Sequence, residues 1–240
     1  MYQDGEKMKA ILFDLDGTLL PMDEDLFTKA YFKLLAKKLC PLGIEPQPLV
    51  DAIWAGTKAM VLNEGSDKNI NVFWNRFSEV TGLDWEPFDK ETVSFYTNEF
   101  HNAKSAVGEN PLAKEVIRLV REKGMKVIIA TNPIFPKAGQ LSRLQWLGID
   151  ESEIDYITPY EEFSYAKPNP KYYETILREN NLEAKDCLMV GNDELEDMYA
   201  AASVGIDTFL IDACIKKSEA HPYEGKRGTF EDLINYINTL

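Results

Sequence analysis

Asp14 and Asp16 stand two residues apart at the end of the apolar run Ile11-Leu12-Phe13, and Gly17 breaks the chain directly after them. Residues i and i+2 of a strand project from one face. A strand here would therefore set the two carboxylates side by side at its carboxyl end, where open α/β sheets bind their ligands. Two anions that close need a cation or a shared proton between them. A metal ion, with one carboxylate as nucleophile and the other as acid/base, gives both a use. A strand closed by an Asp-Gly turn needs neither.

Three more polar groups follow in order. The apolar run from Lys126 to Ala130 ends in Thr131-Asn132-Pro133. Lys167 stands in Tyr165-Ala166-Lys167-Pro168-Asn169-Pro170, where the prolines restrict the backbone on its carboxyl side. The run Cys187 to Val190 ends in Gly191-Asn192-Asp193-Glu194-Leu195-Glu196-Asp197. Taken singly, Thr131 reads as a β-branched strand end and Lys167 as a solvated lysine. Taken in order, the four groups resemble the signature motifs of the haloacid dehalogenase superfamily, over residues 9 to about 212.

That resemblance implies a Rossmann-like α/β core of three layers with a parallel sheet, plus a small all-helical cap domain. It also implies a phosphohydrolase that uses Mg2+ and an aspartyl-phosphate. Asp14 would be the nucleophile. Asp16 would protonate the leaving alcohol and then take a proton from water, with its main-chain carbonyl on the metal. Dehalogenases of the superfamily lack this second Asp and the metal, so Asp16 favours phosphate chemistry. Thr131 and the Asn132 amide would hydrogen-bond phosphate oxygens, and Lys167 would bridge the phosphate and Asp14. In the fourth motif many relatives place an Asp where this chain has Asn192. The expected metal set is therefore Asp14, Asp16 and Asp193, with Asn192 as the alternative and Asp197 in support. Glu194 and Glu196 read as helix-start charges. A phosphomutase, a phosphonate hydrolase using a cap lysine such as Lys29, Lys33, Lys37, Lys38 or Lys58, and a phosphoacceptor signalling domain are the competing functions.

The elements between the motifs decide where the cap lies. From Asp23 to Leu39 apolar residues recur at helical spacing, and further helices are expected around Leu49 to Val61, around Val72 to Val80 closed by Gly82, and from Asp89 towards Ala106. Nothing there alternates as a sheet would. By resemblance, residues 21–106 form the cap and residues 1–20 and 107–240 the catalytic core, joined through hinges at Leu20 to Asp23 and Ala103 to Glu109. Trp54 and Trp74 are first choices for pocket-facing aromatics. After Gly108 helices and strands alternate, the pattern of a parallel sheet. Expected helices are one capped by Asn110 with Pro111 in its first turn, then Pro136–Leu147, Lys171–Asn180, Asp197–Val204 and Thr229–Leu240. Strands are expected at Asp155–Thr158 and Thr208–Ile211, and residues 214–228 read as a surface loop.

Composition narrows the partners. The chain has 240 residues, 45% of them apolar, enough for a core domain and a small insertion. A net charge of −14 disfavours nucleic acid or anionic membrane as the main partner and leaves room for a small phosphorylated metabolite, whose pocket a lysine and a metal can make locally positive. No stretch is long and apolar enough to span a membrane. Met1 to Lys7 lacks the apolar core of a secretion signal, so a cytoplasmic location is expected. Cys40, Cys187 and Cys214 lie far apart with no paired spacing and read as buried free thiols.

Overall fold

The computed structural model describes residues 8–240. Residues 1–7, whose polar composition underlies the expected location, lie outside the described residues. Six strands make one parallel sheet: β1 (Ala10–Phe13), β2 (Lys126–Ile129), β3 (Tyr156–Ile157), β4 (Cys187–Gly191), β5 (Asp207–Ile211) and β6 (Arg227–Gly228), in the spatial order β3-β2-β1-β4-β5-β6. β1 is fully buried and pairs with β2 on one side and β4 on the other, so the ends of these three strands share one edge of the sheet.

The central strands β1 and β4 are buried along their whole length because both of their faces are covered. Ile11, Phe13, Val127, Ile129, Leu188 and Val190 join one core, with α5 (Ala113–Glu122), α6 (Lys137–Trp146) and α9 (Phe230–Thr239). Leu12, Ile128 and Met189, at the alternate positions, join the other, with α7 (Pro170–Asn180) and α8 (Ala200–Ser203). The result is the expected three-layer α/β arrangement.

The insertion after β1 carries α1 (Glu24–Leu39), α2 (Pro46–Val61), α3 (Asn69–Thr81) and α4 (Glu86–Thr97). Local chemistry sets the start and polarity of α1. The Asp23 carboxylate accepts from the Leu26 amide, Glu24 and Asp25 occupy the first turn, and Lys37 and Lys38 the last. The chain leaves and re-enters the core side by side: Met22 bridges Val107, and the Gly108 amide donates to the Pro21 carbonyl at 2.7 Å. The two expected hinges are thus hydrogen-bonded to each other.

Several boundaries differ from the sequence reading. The helix expected from Asp89 to Ala106 stops at Thr97, and 3-10 turns cover Glu99–Ala106. α5 starts at Ala113, later than expected; Asn110 caps the turn leading into it, its Oδ1 accepting from the Leu112 amide at 3.2 Å, while its Nδ2 donates to the Leu19 carbonyl and ties the loop to the flap after β1. The surface loop 214–228 ends in β6. Cys187 is buried as expected, but Cys40 is only partly buried and Cys214 is exposed; all three thiols are free.

Candidate active site

Asp14 begins where β1 stops. Its amide donates to the Val190 carbonyl, which carries the ladder with β4 one residue past the strand. Lys167 meets it from the segment before α7, with Nζ 3.0 Å from Asp14 Oδ1 and 2.6 Å from Asp197 Oδ1. Lys167 is 1% exposed. Burial alone would strip the ammonium of its proton, but the Asp14 and Asp197 carboxylates outweigh it and hold Lys167 charged, well above the ordinary lysine range. Asn132 fixes the lysine's backbone: its Oδ1 accepts from the Lys167 amide at 3.2 Å, and its Nδ2 donates to Glu196 Oε2 at 3.1 Å. One side chain therefore clips together the second, third and fourth motifs. The main-chain carbonyl of Thr131 accepts from the hydroxyls of Tyr172 and Thr158, and Thr131 lines the same cavity as Asp14.

Asp14 and Asp16 do not alternate along a strand as expected. β1 ends at Phe13 and the chain turns, with Asp16 bridging Leu20 and the Gly17 amide donating to the Leu20 carbonyl at 2.8 Å. Asp14 and Asp16 consequently pair with different cations, Lys167 and Arg143, while still lining one cavity. Gly17 makes the turn with φ of 88°, and a side chain there would also strike the amide of Asn192.

The helix expected from Asp197 to Val204 starts earlier, at Glu194, and opens in π geometry over Glu194–Tyr199 before the short α8. Asp197 spends both oxygens inside the protein: Oδ1 on Lys167, Oδ2 on the amides of Asn192 and Asp193. Gly191 gives it room, since a side chain there would occupy the space of the Asp197 carboxylate. Asp193 Oδ1 caps the turn by accepting from the Leu195 and Glu196 amides, both at 2.8 Å. Asn192 Oδ1 and Asp14 Oδ2 each lie 3.0 Å from the Thr18 hydroxyl, whose single proton can serve only one of them. Glu194 and Glu196 stand in the first turn, as expected, but are not freely solvated. Glu194 is buried and accepts from the Ser218 amide, and burial pushes the Glu196 carboxyl up to about 7.

Between this cluster and the helical insertion lies a cavity of about 300 Å³. Asp14, Asp16, Thr131, Asn132, Asn192 and Asp193 line its floor. Its walls are aromatic and include both Trp54 and Trp74. The Tyr31 phenol, 2.7 Å from that of Tyr96, is pushed up to about 12 by burial, so it stays neutral at any working pH.

The sequence pattern of haloacid dehalogenase-like hydrolases matches residues 8–205. The chain belongs to that family. Its relatives include a glyceraldehyde 3-phosphate phosphatase of Pyrococcus abyssi, 30% identical over 84% of this chain and 80% of the relative. A ribulose-1,5-bisphosphate 5-phosphatase of Halopiger xanaduensis is 25% identical over 96% of this chain and 95% of its own. Among solved structures, a HAD phosphatase from Thermococcus onnurineus superposes with a TM-score of 0.60 at 21% identity, covering 96% of this chain and 98% of that one. The hydrolase thus shares its fold and family with named phosphatases.

Arg143 is the residue of this hydrolase's site that sequence reasoning missed. It sits on α6, is fully buried, donates from Nε to the Gly139 carbonyl at 3.1 Å, and pairs through its Nη1 with Asp16 Oδ2. Its guanidinium carbon lies 4.2 Å from the centre of the Phe135 ring. Burial raises the Asp16 carboxyl above its usual range and the nearby Asp14 charge adds to this, while Arg143 pulls it back down. A signal was present: the buried face of α6 carries Gln140, Ser142 and Arg143, polar groups that need partners if they face a core.

Proposed function

We propose that this hydrolase is a magnesium-dependent phosphatase acting on a small phosphate monoester through an aspartyl-phosphate on Asp14. The observation that carries the reading is the buried lysine held between Asp14 and Asp197, two carboxylates that line the cavity. It places positive charge beside the nucleophile where a phosphoryl group would spread negative charge. In the first half-reaction an Asp14 carboxylate oxygen attacks phosphorus, the bond to the leaving oxygen breaks, and Asp16 gives that oxygen its proton. In the second, Asp16 takes a proton from water, the water oxygen bonds to phosphorus, and the bond to Asp14 breaks. Lys167 and Thr131 hold phosphoryl oxygens throughout, and Asn132 holds Lys167. Residues 21–106 act as the cap that shuts water out, over a core of residues 1–20 and 107–240.

The oxygen donors suit magnesium. Among the described residues no three carboxylate, histidine or cysteine side chains converge as a metal cage, but Asp14 Oδ2 and Asn192 Oδ1 compete for one hydroxyl proton. Acidic groups also outnumber basic ones around the cavity floor. Such a set leaves hard oxygen acceptors short of positive charge. Asp14, the Asp16 carbonyl and Asn192 or Asp193 would hold the ion, which when bound would offset the charge of the phosphoryl oxygens. Three free cysteines fit a reducing compartment such as the cytoplasm.

The deciding experiment measures inorganic phosphate released from a panel of phosphate monoesters, with and without magnesium. Chelator is expected to abolish release and magnesium to restore it, with calcium a poor substitute because its looser coordination misplaces the reacting groups. Full activity in excess chelator would remove the metal assignment, and conversion to an isomeric phosphate without release would make the protein a mutase. None of the cap lysines that a phosphonate hydrolase would need lines the cavity.

Arg143→Met tests the assignment of Asp16. Losing the guanidinium lets burial raise the Asp16 carboxyl further, so the acid limb of the kcat profile should move to higher pH. At neutral pH kcat should fall roughly ten-fold, less than the roughly 10²–10⁴ that an acid/base group itself contributes. Arg143→Lys should not restore it, because an ammonium cannot span the Gly139 carbonyl and Asp16 together. An unmoved acid limb would mean that Arg143 serves packing alone.

A further inference from the structure

The wall of the cavity, as opposed to its floor, says what is attached to the phosphate. Phe27 and Tyr31 of α1, Ile53 of α2 and Phe73, Trp74 and Phe77 of α3 line it on the insertion side, and Tyr96, Phe135 and Tyr160 close it from α4 and the core. Phe73 reaches this position because α2 carries Gly56 beneath its ring, where any side chain would collide with it. No lysine, arginine or histidine of the insertion lines the cavity. The basic side chain that does, Lys216, belongs to the loop after β5, sits at the catalytic end and is ion-paired with Glu24. The guanidinium of Arg143 does not line the cavity: it stacks on the Phe135 ring and pairs with Asp16 through Nη1, while its buried Nη2 has no partner among the described residues. Of the wall's polar groups, the hydroxyls of Tyr31 and Tyr96 satisfy each other, while Thr92 Oγ1 is buried with no hydrogen-bond partner among the described residues.

A carboxylate or second phosphate on the leaving group would be buried in this chamber without a counter-charge, the costliest arrangement a site can offer. An uncharged ring or branched chain would instead bury its apolar surface against aromatic faces. Building on the phosphatase reading above, we propose that the substrate is a monoester of an uncharged, predominantly apolar alcohol or phenol of about one to two rings, with room for one hydroxyl beside Thr92. Compounds with a second anionic group, such as phosphoglycolate and ribulose 1,5-bisphosphate, are disfavoured by the wall. A cavity of about 300 Å³ lies at the small end of ligand sites and suits a leaving group of that size.

The test compares kcat/KM for 2-naphthyl phosphate, cyclohexylmethyl phosphate, phosphoglycolate and ribulose 1,5-bisphosphate on the magnesium-loaded full chain, and measures binding of 2-naphthol and glycolate by calorimetry. The apolar esters should exceed both anionic ones by at least about ten-fold, and 2-naphthol alone should bind saturably. Thr57→Arg, at a partly exposed position of the wall, should narrow that ratio by raising phosphoglycolate turnover, and Phe73→Ala should weaken naphthol. Equal or better turnover of phosphoglycolate or the bisphosphate would overturn the proposal and leave the phosphatase reading standing. Saturable naphthol binding with no phosphate released from any ester would retire the phosphatase reading and keep the apolar pocket. Failure of both measurements would end both.

Discussion

Asp14→Asn should lower turnover of every substrate by at least about 10⁴-fold, the scale on which enzymes lose rate when a covalent nucleophile is removed. The amide keeps the shape of the carboxylate, can still accept from Lys167 through its one oxygen while its Nδ2 donates to the Thr18 hydroxyl, and leaves Asp197 as the lysine's carboxylate partner. The protein should therefore remain folded, with a melting temperature close to that of the wild type. Those two readings together separate lost chemistry from lost structure. Steady-state hydrolysis above about 1% of wild type, in a preparation free of contaminating phosphatase, would rule out an aspartyl-phosphate on this residue.

Lys167→Ala should damage both chemistry and fold. Removing the cation leaves Asp14 and Asp197 close together and buried, and breaking a buried pair from one side typically costs about 3–5 kcal/mol. Turnover should drop by about 10²–10³-fold or more through loss of the charge beside the phosphoryl group. The double variant Lys167→Ala/Asp197→Asn tells the two losses apart. It removes one stranded charge, so part of the stability should return while activity does not. Recovery of activity along with stability would show that Lys167 serves only to balance buried carboxylates.

The strands and the four polar groups were legible because each is local: an apolar run long enough for a strand, then a change to polar residues at its end. What could not be read are the pairings between groups. Arg143 reaches Asp16 across 127 residues, and nothing near either residue specifies the other. The i, i+2 argument failed at Asp16 for a related reason, since it assumes that the strand continues, and hydrogen bonds of the flap to Leu20 end it sooner. Asn132 was expected to offer its main-chain amide to a phosphate, and its side chain turned out to join three motifs. In the insertion, periodicity located helices but could not say which aromatic residues meet in a common chamber; Trp54 and Trp74 both do, although Trp54 is 52% exposed and Trp74 is buried.

The central place of β1 in the sheet bears on how the chain acquires its shape. β1 is the first strand in the sequence, yet both of its neighbours come far later: Lys126 opposite Ala10 on one side and Cys187 opposite Ala10 on the other. Lys167 then closes on Asp14 over a separation of 153 residues. Contacts so distant in sequence must overcome large loop-closure entropy before they return any energy, which makes folding slow. As the chain emerges from the ribosome, the apolar stretch Ala10 to Phe13 has neither edge covered until β2 is made and only one until β4 is, a period of exposure to aggregation. Truncations that stop before β4 should leave that strand half-paired and insoluble. The residue assigned the attack on phosphorus is made well before the strands and the lysine that put it in place.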